Sequence, residues 1–106
     1  MKNNKEFVSG THLKLNIHID PLDDLHMSDY EFECAFFVFK KKSVIVKKED
    51  MFQLDDDNYF ALVDTTDLGT GNLHITITAY IPDEDFGKPR KEVICVPTDI
   101  DIVNCI

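Results

Sequence analysis

The segment Asn72-Leu-His-Ile-Thr-Ile-Thr-Ala-Tyr-Ile-Pro82 alternates strictly. Leu73, Ile75, Ile77, Ala79 and Ile81 share one side of a two-residue period, and His74, Thr76, Thr78 and Tyr80 share the other. Successive side chains of an extended backbone point to opposite faces. This is therefore a strand with one face on a core and the other toward water. Gly69 and Gly71 precede it. Pro82, which has no N–H for a ladder, closes it. A strand of this length is not stable alone. It needs neighbours along its edges and a second layer against its apolar face.

The remaining segments supply those neighbours. From Gly10 to Asp20, Leu13, Leu15, Ile17 and Ile19 point inward while His12, Lys14, Asn16 and His18 point outward. Tyr30 to Phe39 starts half polar, with Glu31 and Glu33 outward, and becomes apolar on both faces from Cys34 to Phe39. Val44 to Val46 is rich in β-branched residues. Met51 to Leu54 and Tyr59 to Asp64 follow, the latter with Tyr59, Ala61 and Val63 on one face and Phe60 and Leu62 on the other. Glu92 to Val96 and Ile100 to Val103 make a last strand broken by Pro97, a residue that sheets accept only at an edge or a bulge.

Lys40 to Ser43, Asp55 to Asn58, Thr65 to Gly71 and Asp83 to Pro89 are the turns, written in Asp, Asn, Gly and Pro. Asp20 to His26 is either one helical turn, with Asp20 as N-cap and Pro21 in the first position, or a loop crossing between sheets. About seven short strands and no amphipathic helix longer than one turn predict an all-β, antiparallel immunoglobulin-like β-sandwich. An OB-type barrel is the alternative, but it usually has fewer, longer strands and a helix. Residues 1–9 are polar and are expected to be a flexible N-terminal arm, leaving residues 10–106 as a single domain.

The 20 acidic and 11 basic residues give a formal charge of −9, a surface that repels phosphate backbones and disfavours nucleic-acid binding. The basic clusters Lys40–Lys42, Lys47–Lys48 and Lys88–Lys91 read as turn and strand-edge chemistry. No apolar run follows the N-terminal residues as in a signal peptide, and Ala35 to Phe39 is too short to cross a bilayer. The expectation is a chain made in a reducing cytoplasm, without membrane attachment. Cys34, Cys95 and Cys105 are odd in number and form no CxxC. Cys34 and Cys95 are spaced like an immunoglobulin bridge. However, the chain has no Trp, and Val93 stands where the corner Tyr is expected. Free buried thiols are the expectation.

Residues for chemistry are sparse. His12 and His18 share a strand face, but six residues of strand span about 20 Å, too far for one ion. His26 and His74 complete no zinc spacing. Asp55-Asp-Asp-Asn58 and Asp83-Glu-Asp85 lack the Gly and Glu positions of a calcium loop. Ser9, Ser28 and Ser43 have no nucleophile elbow, and no cysteine opens a helix. Glu31 and Glu33 share a strand face and read as a solvated pair. Tyr80 alone makes no sugar platform. No enzyme, no metal and no cofactor are expected. Phe37 and Phe39 are either roofed by a loop or helix, the expected case, or exposed as a partner-binding patch. If roofed, Phe37→Asp unfolds the domain. Phe86, the one large apolar residue in the loop 83–89, is the third candidate for partner binding.

The succession Asp29-Tyr-Glu-Phe-Glu33, Phe39-Lys-Lys-Lys-Ser-Val-Ile-Val-Lys-Lys-Glu-Asp-Met51, Asp55-Asp-Asp-Asn-Tyr59, Val63-Asp-Thr-Thr-Asp-Leu-Gly-Thr-Gly-Asn-Leu73, Ile81-Pro-Asp-Glu-Asp-Phe86 and Arg90-Lys-Glu-Val93 resembles small immunoglobulin-like domains of tailed-phage virions. These include the N-terminal domains of baseplate upper proteins and short virion proteins of crAss-like and Bacteroides phages. The likeness spans most of residues 11–103, and Leu68-Gly-Thr-Gly71 and the basic hairpin Lys41 to Lys48 are its most specific parts. It implies a non-catalytic virion component made in the host bacterial cytoplasm: an auxiliary capsid, head-fibre or tail and baseplate adaptor piece. Its partners would be other virion proteins, contacted in a multi-copy assembly. The competing expectation is a glycan- or calcium-binding sandwich module on a bacterial surface.

Overall fold

The computed structural model describes residues 4–20, 24–39 and 42–104. Its strands are β1 (Lys5–Val8), β2 (His12–His18), β3 (Glu31–Phe37), β4 (Ser43–Lys47), β5 (Phe52–Asp55), β6 (Asn58–Asp64), β7 (Gly71–Ile81) and β8 (Arg90–Val103). They form a larger sheet in the order β1-β8-β7-β3-β4 and a smaller one in the order β2-β6-β5. The chain changes sheet between β1 and β2, between β2 and β3, between β4 and β5, and between β6 and β7. This is the Greek-key order of an immunoglobulin-like sandwich whose first strand lies on the larger sheet. The expected strands are β2 to β8, and β1 is the eighth.

The alternation read from the sequence is the burial observed. Leu13 and Ile17 of β2, Tyr59, Ala61 and Val63 of β6, Phe32, Cys34 and Phe36 of β3, and Leu73, Ile75, Ala79 and Ile81 of β7 are buried between the layers. Each large side chain so buried contributes about 1.5–3 kcal/mol. Register follows the same faces: Phe32, Cys34 and Phe36 lie opposite Ala79, Ile77 and Ile75, which face Glu92, Ile94 and Val96 of β8 in turn.

Three departures from the sequence reading have physical reasons. Lys5–Val8, inside the stretch read as an arm, pairs in parallel with Ile100–Val103. Its side chains are mostly exposed, so no alternation marked it. Pro97 does not end the last strand. It lies at a register shift where the residues between Pro97 and Asp101 bulge opposite Leu73, so both the expected edge and the expected bulge are present. Pro21, the first position of the expected helical turn, lies outside the described residues. Within the crossover, Met27–Asp29 forms a single 3-10 turn, with the Asp29 carboxylate accepting from the His26 N–H at 2.9 Å.

The corner before β7 needs its glycines. Gly69 (φ +89°) and Gly71 (φ +139°) adopt backbone shapes that favour glycine, and a Cβ would meet the Phe39 ring or Val38 Cγ1 at 2.9 Å. The molecule is elongated, 53 × 30 × 28 Å. Its radius of gyration is 15.0 Å, against roughly 13 Å for a compact chain of this length. The long β7–β8 hairpin accounts for the difference.

Candidate functional site

The three phenylalanines singled out in the sequence are not brought together. Phe37 points to the outer face of the larger sheet, half-buried, with its ring stacked on His74 (centroids 5.6 Å apart, planes 18° apart). The His74 ring covers part of it. Phe39 is 59% exposed beyond the end of β3, resting on Gly69. Phe86 is also 59% exposed, on the 3-10 turn Glu84–Phe86 of the β7–β8 connection. Since Phe37 pairs with His74 and Glu31 with Tyr80, Phe39 and Phe86 lie at opposite ends of the larger sheet. They do not form one patch.

A more continuous apolar surface lies on β8. Val93, Ile94 and Val96 are 56%, 47% and 40% exposed, and Cys95 between them is exposed. Val93 and Cys95 are on the outer face, opposite Thr78 and Thr76 of β7. Ile94 and Val96 are on the inner face, beside Ile77 and Ile75, where the smaller sheet does not extend over them. β1 covers β8 only from Ile100 to Val103. Among the described residues no strand pairs with the other edge of Arg90–Pro97, so a row of backbone donors and acceptors is open there.

The other edges differ. β2 shows His12, Lys14, Asn16 and His18, and β4 shows Ser43 and Lys47 with the single exposed Ile45. β5 carries Phe52 and Leu54, but a register irregularity between Gln53 and Asp55 breaks its ladder. Phe52 stacks on Phe60 at 4.8 Å, so the two rings turn their faces to each other rather than to a ligand. Beneath β8, a cleft of about 600 Å³ opens between the two sheets, with Leu15, Ile17, Phe36, Ile75 and Ile100 in its walls.

The run Val93 to Val96 was read as part of the last strand, and its exposure was not singled out, since residues apolar on both faces do not by themselves mark an open strand. Pro97 was the available signal that the strand lay at an edge.

The histidines serve a different end of the molecule. The Asp57 carboxylate receives His26 Nδ1 at 2.8 Å and the Met27 N–H at 3.1 Å, while its carbonyl lies 2.9 Å from His18 Nδ1. His18 Nε2 is 3.0 Å from Asp20. The hydrogen bond to Asp20 and then that to the Asp57 carbonyl raise the His18 pKa. The Asp57 carboxylate raises that of His26, and His26 in turn lowers that of Asp57. The group ties the β5–β6 turn to the crossover from β2 to β3. The sequence held no sign of it, since His26 and Asp57 are far apart along the chain. His12 reaches Asp64 at 3.4 Å and His74 lies 3.0 Å from the Asn72 carbonyl. Among the described residues no group of three or more His, Cys, Asp or Glu is arranged to hold a metal ion.

Cys34 is buried on the inner face of β3, and burial pushes its thiol up to about 12. Cys95 is exposed and both thiols are free. Cys105 lies outside the described residues. No helix among the described residues is long and apolar enough to cross a membrane. Comparisons with protein-family models, with curated proteins and with solved structures gave no match.

Proposed function

We propose that the protein is a non-catalytic structural and interaction subunit that assembles through protein–protein contacts in a tailed-phage virion. The observation that carries the interaction role is the open, apolar β8 edge at Val93–Val96. An exposed apolar edge strand is a standing liability unless something pairs with it, and strand addition is a common way for sheet proteins to dock. The virion setting rests on the sequence resemblance, with its acidic aromatic second strand and glycine corner before the central strand. The acidic surface, at −9, suits protein neighbours rather than nucleic acid.

The test is to chromatograph the purified protein alone, with phage particles, and with bacterial polysaccharide. Co-migration with particles is the expected result. A chain that ignores particles and shifts with polysaccharide overturns the proposal in favour of a surface glycan module.

A further inference from the structure

We infer that the side chains of Asn72 and Thr98 hold β8 in register on β7, and so select which residues its open edge presents for docking; this rests on that edge being the docking surface. Gly71 and Asn72 pair with Ile102 and Asp101, whereas His74 to Ile81 pair with Pro97 to Arg90. Leu73 of β7 therefore stands against three residues of β8, Thr98, Asp99 and Ile100, a surplus of two. The side-chain period of a strand is also two, so a slide by two residues keeps every side chain on its own face. Without the bulge, Thr78 would meet Cys95 instead of Val93, and Ile77 would meet Val96 instead of Ile94. No face is exchanged, and the apolar pattern of β8 does not choose between the two registers.

Two polar side chains make that choice. Asn72 Nδ2 lies 2.9 Å from the Thr98 carbonyl, 3.2 Å from the Ile100 carbonyl and 3.1 Å from Asp101 Oδ1. The Thr98 hydroxyl donates to the Leu73 carbonyl at 2.6 Å and accepts from the Ile100 N–H at 3.1 Å. These bonds take up main-chain groups that the bulge removes from the ladder. The end of β8 beyond the bulge is anchored separately. Ile102 is buried in the core, and the Ser9 N–H donates to the Val103 carbonyl at 2.8 Å. The hairpin half is held more loosely: Val93, Ile94 and Val96 are exposed, and Arg90 reaches Asp83 across the turn at 3.6 Å. Loss of the Asn72 and Thr98 bonds therefore lets Arg90–Pro97 slide while Ile102 stays. Two residues of strand are about 7 Å, enough to present different side chains at each point of the edge.

Cys95 reports the register, in the full chain carrying Cys105→Ser. Thr76 lies directly opposite Cys95 on the outer face, and Thr78 opposite Val93. Residues directly opposite are about 4.5–5.5 Å apart at Cα, within the reach of a disulfide. Under mild oxidation Thr76→Cys should bridge to Cys95 and Thr78→Cys should stay reduced. Adding Asn72→Ala with Thr98→Val should reverse this, raising the ratio of Thr78→Cys to Thr76→Cys bridging roughly tenfold or more. Thr98→Val alone, which keeps the shape of the residue, should move the ratio in the same direction to a smaller extent, and Thr98→Ser, which keeps the hydroxyl, should leave it unchanged. The slid protein should load onto phage particles roughly tenfold more weakly. Bridging through Thr76→Cys that persists without the Asn72 and Thr98 bonds overturns the inference, whatever the loading. A slide that leaves loading unchanged removes the β8 edge as the docking surface and leaves the register assignment standing.

Discussion

Replacing Thr65 by Val tests how the start of the chain is held in place. Thr65 is fully buried at the end of β6. Its hydroxyl donates to the Thr11 carbonyl at 2.8 Å and accepts from the Gly10 N–H at 3.0 Å. Its own N–H reaches the same Thr11 carbonyl at only 3.3 Å. Valine keeps the shape and removes both hydroxyl bonds, leaving the Gly10 donor without its partner. At about 1 kcal/mol for each bond, the expected loss is about 2 kcal/mol. For a domain of this size that lowers Tm by about 8 °C. Thr65→Ser keeps both bonds and removes one methyl, for about 1 kcal/mol. Urea unfolding followed by circular dichroism, with all three proteins showing the same m-value, measures the difference. If Thr65→Val equals or exceeds the natural protein, the turn between β1 and β2 is not held by this hydroxyl.

The Asp57 cluster gives stability a pH window. The raised His18 and His26 values contribute stability that is present below the ordinary 6.5 and lost as pH climbs through the raised values. The lowered Asp57 value contributes stability that is present above 3.8 and lost as pH falls through the lowered value. Thermal melts of the natural protein should therefore exceed those of His26→Gln most between about pH 4 and 6.5, and a difference that grows above that range contradicts the assignment. Phe37→Asp should stay folded, losing the ring stack on His74 and about 0.5–1.5 kcal/mol; unfolding in the thermal melt would restore the roofed reading of that face. Iodoacetamide followed by peptide mapping should label Cys95 in the native protein and spare Cys34 until denaturant is added.

Most of the architecture was legible because burial in a two-layer body leaves a two-residue period. Leu13 with Ile17, Tyr59 with Val63, and Leu73 through Ile81 carry that period openly, and each forms the strand expected of it. β1 carried none, since its ladder to β8 is made by backbone groups while its side chains face mainly water. The outer face at Phe37 was misjudged because an aromatic ring can be half-covered by a cross-strand partner such as His74, which a pattern along one strand does not reveal. Pro97 marked an edge or a bulge in β8, but not how far the apolar run before it would be left open. Val93-Ile-Cys-Val96 has the composition of a fully covered strand, and only the order of strands in space shows that its neighbour stops at Ile100. The tie between His26 and Asp57 depends wholly on tertiary placement.

Hydrogen–deuterium exchange of the assembled protein against its dilute, dissociated form tests the docking surface most directly. Backbone amides within Arg90–Pro97 should become protected on assembly, while those of Phe52–Asp64 keep the same exchange rates in both forms. Unchanged exchange along Arg90–Pro97 with new protection over Phe52–Asp64 would place the working surface on the smaller sheet and contradict the account.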